Sequence, residues 1–204
     1  ENKSYFFFSH TIKKQPQNQK LLQAILDKNI DFYDHETLVD SHNHRLIGFG
    51  KYAGIVGAYN AIRAFGIKFE LFKLPKAATL SGKEALITHL KRIVLPPLKF
   101  VVTGNGKVGS GVKEVLDAIK IKKVAPNDFL TKNYTQAVYT QIDVLDYNKR
   151  KDGAIFDNND FFKNPSDYIS NFEPFTKVSD IYISGHFHDN AAPEILSQEM
   201  LQAN

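Results

Sequence analysis

Apolar positions along the 204-residue chain alternate between compact runs and helical spacings, a pattern that predicts an α/β protein with a mainly parallel sheet. Ser4 to Ser9 reads as a buried strand starting almost at the first residue. From Pro16 to Lys28 the spacing puts Leu21, Leu22, Ile25 and Leu26 on one helical face, and Pro16 suits a first turn. Short strands are expected over 30–33 and 46–49, separated by a polar turn at Asp40–His44. Residues 50–62 form a helix rich in small residues, whose glycines each cost about 1 kcal/mol relative to alanine. Such a cost suits close helix packing or a domain crossover. Residues 66–82 read as connection and 83–93 as another helix, and Pro96-Pro97 then suggests a domain boundary near residue 95. Further strands are expected over 98–103, 138–142 and 181–184, with a helix over 112–119.

The strand at 98–103 runs into Gly104-Asn105-Gly106-Lys107-Val108-Gly109, which has the G-x-G-x-x-G spacing between a strand and a helix. The first glycine permits a tight turn, the second lets a pyrophosphate approach the backbone, and the third lets helix and strand pack closely. The helix N-terminus offers free N–H groups to phosphates. These six residues therefore predict a dinucleotide site for NAD or NADP. Asp128, about 20 residues on, is placed to bind ribose hydroxyls, although Pro126 and Asn127 disturb the local strand and Lys122-Lys123 could instead receive a 2′-phosphate. The polar, aromatic-rich stretch 146–177, with Pro165 and Pro174, reads as short helices over the cofactor face.

Composition narrows the function classes. The chain is 43% hydrophobic and 24% charged, as in an ordinary globular protein, and no apolar run approaches the ~20 residues that span a bilayer. Neither a signal peptide nor a membrane partner is expected. The absence of cysteine excludes disulfides and thiolate metal sites and fits a cytoplasmic protein. Twenty-six basic against 22 acidic residues leave a mild charge of +4, spread along the chain, which argues against nucleic-acid binding. His42/His44 and His186/His188 share strand-like i, i+2 spacing, but no third ligand is placed beside either pair and no metal is expected.

Several stretches together point to one family: Tyr5-Phe6-Phe7-Phe8-Ser9-His10-Thr11-Ile12-Lys13, Arg45-Leu46-Ile47-Gly48-Phe49-Gly50-Lys51-Tyr52-Ala53-Gly54, and the glycine turn with its Gly109-Ser110-Gly111 ending. Arg150-Lys151-Asp152-Gly153, Asp167-Tyr168-Ile169-Ser170 and Ile183-Ser184-Gly185 add to them. The chain resembles saccharopine dehydrogenase (lysine-forming) and, more closely in its tail, the lysine–2-oxoglutarate reductase half of bifunctional lysine-degrading enzymes. Both are relatives of alanine dehydrogenase and the transhydrogenase. The resemblance implies an internal slice of a longer polypeptide: 1–95 would be part of an alanine dehydrogenase-like substrate domain with crossover helices, and 96–204 a Rossmann-like dinucleotide domain. The catalytic lysine that the family carries on a preceding strand has no counterpart here.

The resemblance also implies roles. His10, at a strand end, matches the family's catalytic histidine, which moves protons as the imine between lysine and 2-oxoglutarate forms and hydrolyses; imidazole accepts and releases protons near neutral pH. Glu36 lies at the spacing where the family sets a glutamate beside its lysine and histidine. Lys13 and Arg45 match substrate-contacting positions, where fixed cations suit an amino-acid substrate carrying three carboxylates. The implied activity is NAD(P)-dependent oxidoreduction at a CH–NH group, interconverting saccharopine with lysine and 2-oxoglutarate. An alanine dehydrogenase-like enzyme on a smaller amino acid, a non-catalytic nucleotide-binding fragment and a purely structural glycine turn stay open beside it. No pattern in the chain fixes an oligomeric state.

Overall fold

The computed structural model describes residues 2–186 and 191–202. The chain divides into two compact units, 1–49 and 50–204.

In the first unit, β1 (Ser4–Phe7) and β2 (Asp31–Asp34) pair in parallel, with Ser4 opposite Asp31 and Phe7 opposite Asp34. Parallel strands need a crossover, and α1 (Gln19–Asp27), entered through a 3₁₀ turn at Pro16–Asn18, supplies it. Ile25 is the residue of α1 that is buried. The expectation that 4–9 forms a buried strand is corrected: Phe6 is 62% exposed and stacks on Tyr33 at 4.6 Å across the two-stranded ladder. A ladder of two strands buries little of either side chain face. Residues 46–49 form no strand either. The chain makes one isolated bridge, Val39 to Arg45, and then leaves the ladder.

In the second unit, α2 (Gly50–Lys68) and α3 (Lys83–Leu90) precede the sheet. Then come β3 (Lys99–Thr103), α4 (Lys107–Ala118), β4 (Lys122–Lys123), α5 (Pro126–Thr131) and β5 (Val138–Ile142). A long insertion follows: α6 (Val144–Tyr147), β6 (Asn148–Arg150), α7 (Asn158–Lys163), β7 (Tyr168–Ser170) and α8 (Glu173–Thr176). β8 (Ile181–Ser184) and α9 (Gln198–Gln202) close the chain. The sheet is parallel throughout in the order β4-β5-β3-β8, so the unit is α/β with the Rossmann-like sheet expected from the sequence. β6 and β7 pair antiparallel as a separate hairpin.

Both faces of the sheet are covered, as an all-parallel sheet requires. Phe100, Val102, Tyr139 and Ile183 pack under α2, α3 and α4 with Ile55, Tyr59, Leu86, Val112 and Leu116. Val101, Val138 and Ile142 pack on the other side with Phe129, Tyr147, Phe172 and Phe175. The period-2 alternation of β3 thus feeds two cores. The helix starting at Gly50 runs to Lys68, six residues beyond the expected end, and its glycines have a specific use. A Cβ on Gly54 would stand 2.0 Å from the Val108 carbonyl oxygen, and one on Gly111 would stand 2.0 Å from that of Lys51. α2 and α4 therefore cross backbone to backbone. This contact ties α2 to the second compact unit, which begins at Gly50.

Candidate functional site

The first cluster lies at the carboxyl end of β1 and β2. Their parallel register brings the residues after Phe7 beside those after Asp34. Ser9 is buried there, donating from Oγ to Asp34 Oδ2 at 2.5 Å and from its N–H to Oδ1 at 3.4 Å. Asp34 also caps the 3₁₀ turn His35–Thr37 by accepting from the Glu36 N–H at 2.9 Å. Burial pushes the Asp34 carboxyl up, but the hydrogen bonds from Ser9 Oγ and from the Glu36 and Ser9 N–H groups outweigh it. The net position is below the usual carboxylate range. The Asp34 lock fixes the backbone of the next residues. His10 is held in the left-handed region, φ +56°, where a non-glycine residue is uncommon.

On this frame three basic side chains converge on one carboxylate. Glu36, with a side chain only 5% exposed, meets His10 Nδ1 through Oε2 at 2.9 Å. Its Oε1 meets Lys13 Nζ and a terminal nitrogen of Arg45, each at 3.4 Å. The three basic groups are half-exposed. The polar turn 40–44 delivers Arg45: Asp40 accepts from the His42 and His44 N–H groups at 2.8 Å each, and Leu46 N–H donates back to Leu38 at 2.9 Å. The Arg45 guanidinium also lies 5.8 Å from the Phe8 ring centre. Lys13 and Arg45 offset the charges of Glu36 and the ionised Asp34, but both carboxylates are buried while the two cationic ends are half-exposed, so the charge facing solvent is positive. That is suited to an anionic ligand.

The second cluster lies at the carboxyl edge of the parallel sheet, beside the point where the strand order reverses about β3, the usual ligand position in such sheets. Gly104 has φ +89° and is held by its N–H to Ile142 O at 2.8 Å and by its carbonyl accepting from Gln141 Nε2 at 2.9 Å. A Cβ on Gly109 would stand 1.9 Å from the Gly104 oxygen, whereas one on Gly106 would meet nothing within 4 Å. The turn is therefore tight on its inner side and open on its outer side. Gly106 caps α4 and has no side chain to satisfy the first-turn N–H groups of Lys107, Val108 and Gly109. Room at the second glycine, closeness at the third and free helix N–H groups fit a dinucleotide pyrophosphate.

A cavity of about 260 Å³ opens from Gly104, Asn105 and Gly106. Asp143, Tyr147, Asn148 and Phe161 form much of one wall, and Gly185 and His186 another. Residues of the insertion thus line this edge, but the stretch 146–177 is not made of short helices alone, since β6 and β7 pair within it. Thr103 Oγ1 lies 2.7 Å from His186 Nδ1 and fixes the ring. Burial, with the Asp143 charge beside it, pushes the Tyr147 phenol upward and keeps it neutral.

The structure brings His10, Lys13, Glu36 and Arg45 together and sets Gly104 through Gly109 in a strand–turn–helix. Asp128 is placed differently. It lies in the first turn of α5, pairs with Lys132 at 2.9 Å, and is not among the residues lining the cavity. β3 lies between β5 and β8, and the carboxylate just past the carboxyl end of β5 is Asp143. Counting from the glycine turn does not reach Asp143 because the strand following α4, β4, lies at the sheet edge and β5 takes the place beside β3. Lys122 and Lys123 are exposed on that edge strand. His44 Nδ1 lies 3.3 Å from Asp40 and the His42 and His44 rings are 6.0 Å apart, so both belong to the turn. His188 lies outside the described residues. Among the described residues no three His, Cys, Asp or Glu side chains gather as metal ligands, and no helix is long and apolar enough to cross a membrane.

No family model matches the chain. Among curated proteins, it is 28% identical over 98% of its length to the mitochondrial alpha-aminoadipic semialdehyde synthase of Rattus norvegicus, and 27% identical over 98% to the Arabidopsis thaliana alpha-aminoadipic semialdehyde synthase. It is also 27% identical, over 55% of its length, to the saccharopine dehydrogenase [NAD(+), L-lysine-forming] of Candida glabrata. The resemblance seen in the motifs is therefore a homology that runs along nearly the whole chain for the synthases and along about half of it for the dehydrogenase. The chain spans about a quarter of the length of the synthases and a third of the dehydrogenase.

Proposed function

We propose that the chain carries the dinucleotide site and a substrate-carboxylate site of a nicotinamide-dependent oxidoreductase that interconverts saccharopine with lysine and 2-oxoglutarate. The observation that carries the reading is the convergence of His10, Lys13 and Arg45 on the buried Glu36, since the resemblance implies these four positions and their chain spacing alone does not make them neighbours. Lys13 and Arg45 hold substrate carboxylates, Arg45 with a two-pronged guanidinium. Glu36 occupies His10 Nδ1, so the ring exchanges protons with substrate through Nε2. Glu36 orients that ring and stays out of reach of solvent.

The bound nicotinamide supplies or accepts the hydride. Gly104 to Gly109 and the first turn of α4 hold its pyrophosphate. Asp143, and not Asp128, faces the ribose hydroxyls, which favours NAD over NADP because a 2′-phosphate would meet a carboxylate. The first experiment is calorimetric titration of the chain with NADH, NADPH, saccharopine and alanine. The reading expects NADH to bind more tightly than NADPH, and saccharopine more tightly than alanine, with the saccharopine preference lost in Arg45→Met. Equal binding of the two amino acids would refute the tricarboxylate site. No binding of either dinucleotide by the folded chain would refute the cofactor site.

A further inference from the structure

The β1–β2 ladder ends at the pair Phe7–Asp34, and past it the Asp34 side chain takes over from the backbone. Its Oδ1 accepts from two N–H groups on different segments, that of Ser9 at 3.4 Å and that of Glu36 at 2.9 Å. Its Oδ2 accepts from Ser9 Oγ at 2.5 Å. With its proton committed to Asp34, Ser9 Oγ accepts from the Thr11 N–H at 3.0 Å. His10 thus has a pinned residue on either side, and its φ of +56° persists because these bonds over-determine it. The His10 side chain itself is 51% exposed, and its carboxylate partner Glu36 lies 26 residues along the chain. A pair open to water on one side does not by itself hold two side chains in one geometry. The geometry has to come from the backbone beneath them.

We infer that Asp34 is a positioning residue of this site: by joining the Ser9 and Glu36 N–H groups it sets the His10–Glu36 pair, and so decides which ring nitrogen faces substrate. The inference rests on the reading of His10 as the proton-moving group. Asp34 is buried and touches no substrate; it acts through His10. A carboxylate only accepts, so the bond to Glu36 keeps the proton of the neutral ring on Nδ1 and leaves the Nε2 lone pair open. A histidine without such a partner favours the opposite form, with the proton on Nε2. Releasing the Ser9 backbone from Asp34 would let the ring leave Glu36 and present a proton where the site needs a lone pair. Misdirecting this one hydrogen bond to substrate is worth about a tenfold loss of affinity.

The test is ¹⁵N NMR of the His10 ring in the whole chain, at a pH where the imidazole is neutral, beside calorimetric titration with saccharopine. Two variants separate the parts of the Asp34 contact. Asp34→Asn keeps an oxygen for both N–H groups, and its Nδ2 can donate to Ser9 Oγ. Asp34→Ser can still cap the turn at Glu36, but is too short to reach Ser9 as well. The unaltered chain and Asp34→Asn are expected to carry the ring proton on Nδ1 and to bind saccharopine alike. Asp34→Ser is expected to move the proton largely to Nε2 and to weaken saccharopine about tenfold. An Nδ1 proton that survives in folded Asp34→Ser would overturn the inference, and so would its loss in folded Asp34→Asn. A proton on Nε2 in the unaltered chain would overturn it without any variant, so the idea stays open to refutation even if Asp34→Ser does not fold. Saccharopine that fails to bind the folded, unaltered chain would overturn the reading of the site and this inference with it.

Discussion

Adding one methyl group to the glycine turn separates its structural from its binding role. In Gly109→Ala the new Cβ would stand 1.9 Å from the Gly104 oxygen and 3.1 Å from Gln141 Nε2. The first neighbour is backbone pinned by two hydrogen bonds, so the strand–turn–helix itself must shift. Overpacking of this kind typically costs about 1–3 kcal/mol. At about 2–4 °C per kcal/mol for a chain of this size, melting should fall by roughly 2–12 °C. Gly106→Ala is the contrasting case. Its φ of −76° suits alanine and its Cβ would meet nothing within 4 Å, so only the change of cap residue remains, at no more than about 1 kcal/mol. The methyl would nevertheless occupy the space through which a pyrophosphate reaches the α4 N–H groups. Losing one such charge-assisted bond, worth about 1.5–3 kcal/mol, weakens NADH binding by roughly 10- to 150-fold. Thermal denaturation and calorimetric titration of both variants check this. Unchanged NADH affinity in Gly106→Ala, or equal destabilisation by the two substitutions, would refute the assignment of inner and outer sides.

Further outcomes follow from the other clusters. Asp143→Asn keeps a good N-cap for α6 but removes the charge, so NADH affinity should fall about tenfold while NADPH gains; unchanged preference in titrations would exclude Asp143 from ribose recognition. Glu36→Gln leaves Lys13, Arg45 and His10 without their shared carboxylate. It should lower thermal stability by about 1–3 kcal/mol and weaken saccharopine binding less than Arg45→Met does. The Asp34 carboxyl is depressed in the folded chain, so its contribution is present above the unfolded value and is lost as pH falls through the lower folded one. Ser9→Ala removes the Oγ bond that helps depress it, and acid unfolding of the first unit, followed by NMR, should begin at higher pH. An unshifted acid transition would show that the backbone N–H bonds alone hold Asp34.

Much of this architecture was written locally. Strands 138–142 and 181–184 and the strand feeding the glycine turn are legible because a buried parallel strand is a short, nearly continuous apolar run, and β3 is buried from Phe100 to Thr103. The turn itself is legible because close backbone approach admits only glycine, as at Gly109 beneath Gly104. The small residues of α2 signal tight packing, but not that its partner is α4, a choice made by two backbones meeting at Gly54 and Gly111. His10, Lys13, Glu36 and Arg45 could be singled out through resemblance. Their convergence depends on the parallel register of β1 and β2 and on the Asp40 turn, which act between residues far apart in the chain. Asp128 and Asp143 show the division most clearly. Counting from the glycine turn favours Asp128, because distance along the chain is all a sequence displays. The sheet order β4-β5-β3-β8 instead puts the end of β5 beside the turn, because long-range strand pairing, and not spacing, decides which carboxylate stands next to the ligand edge.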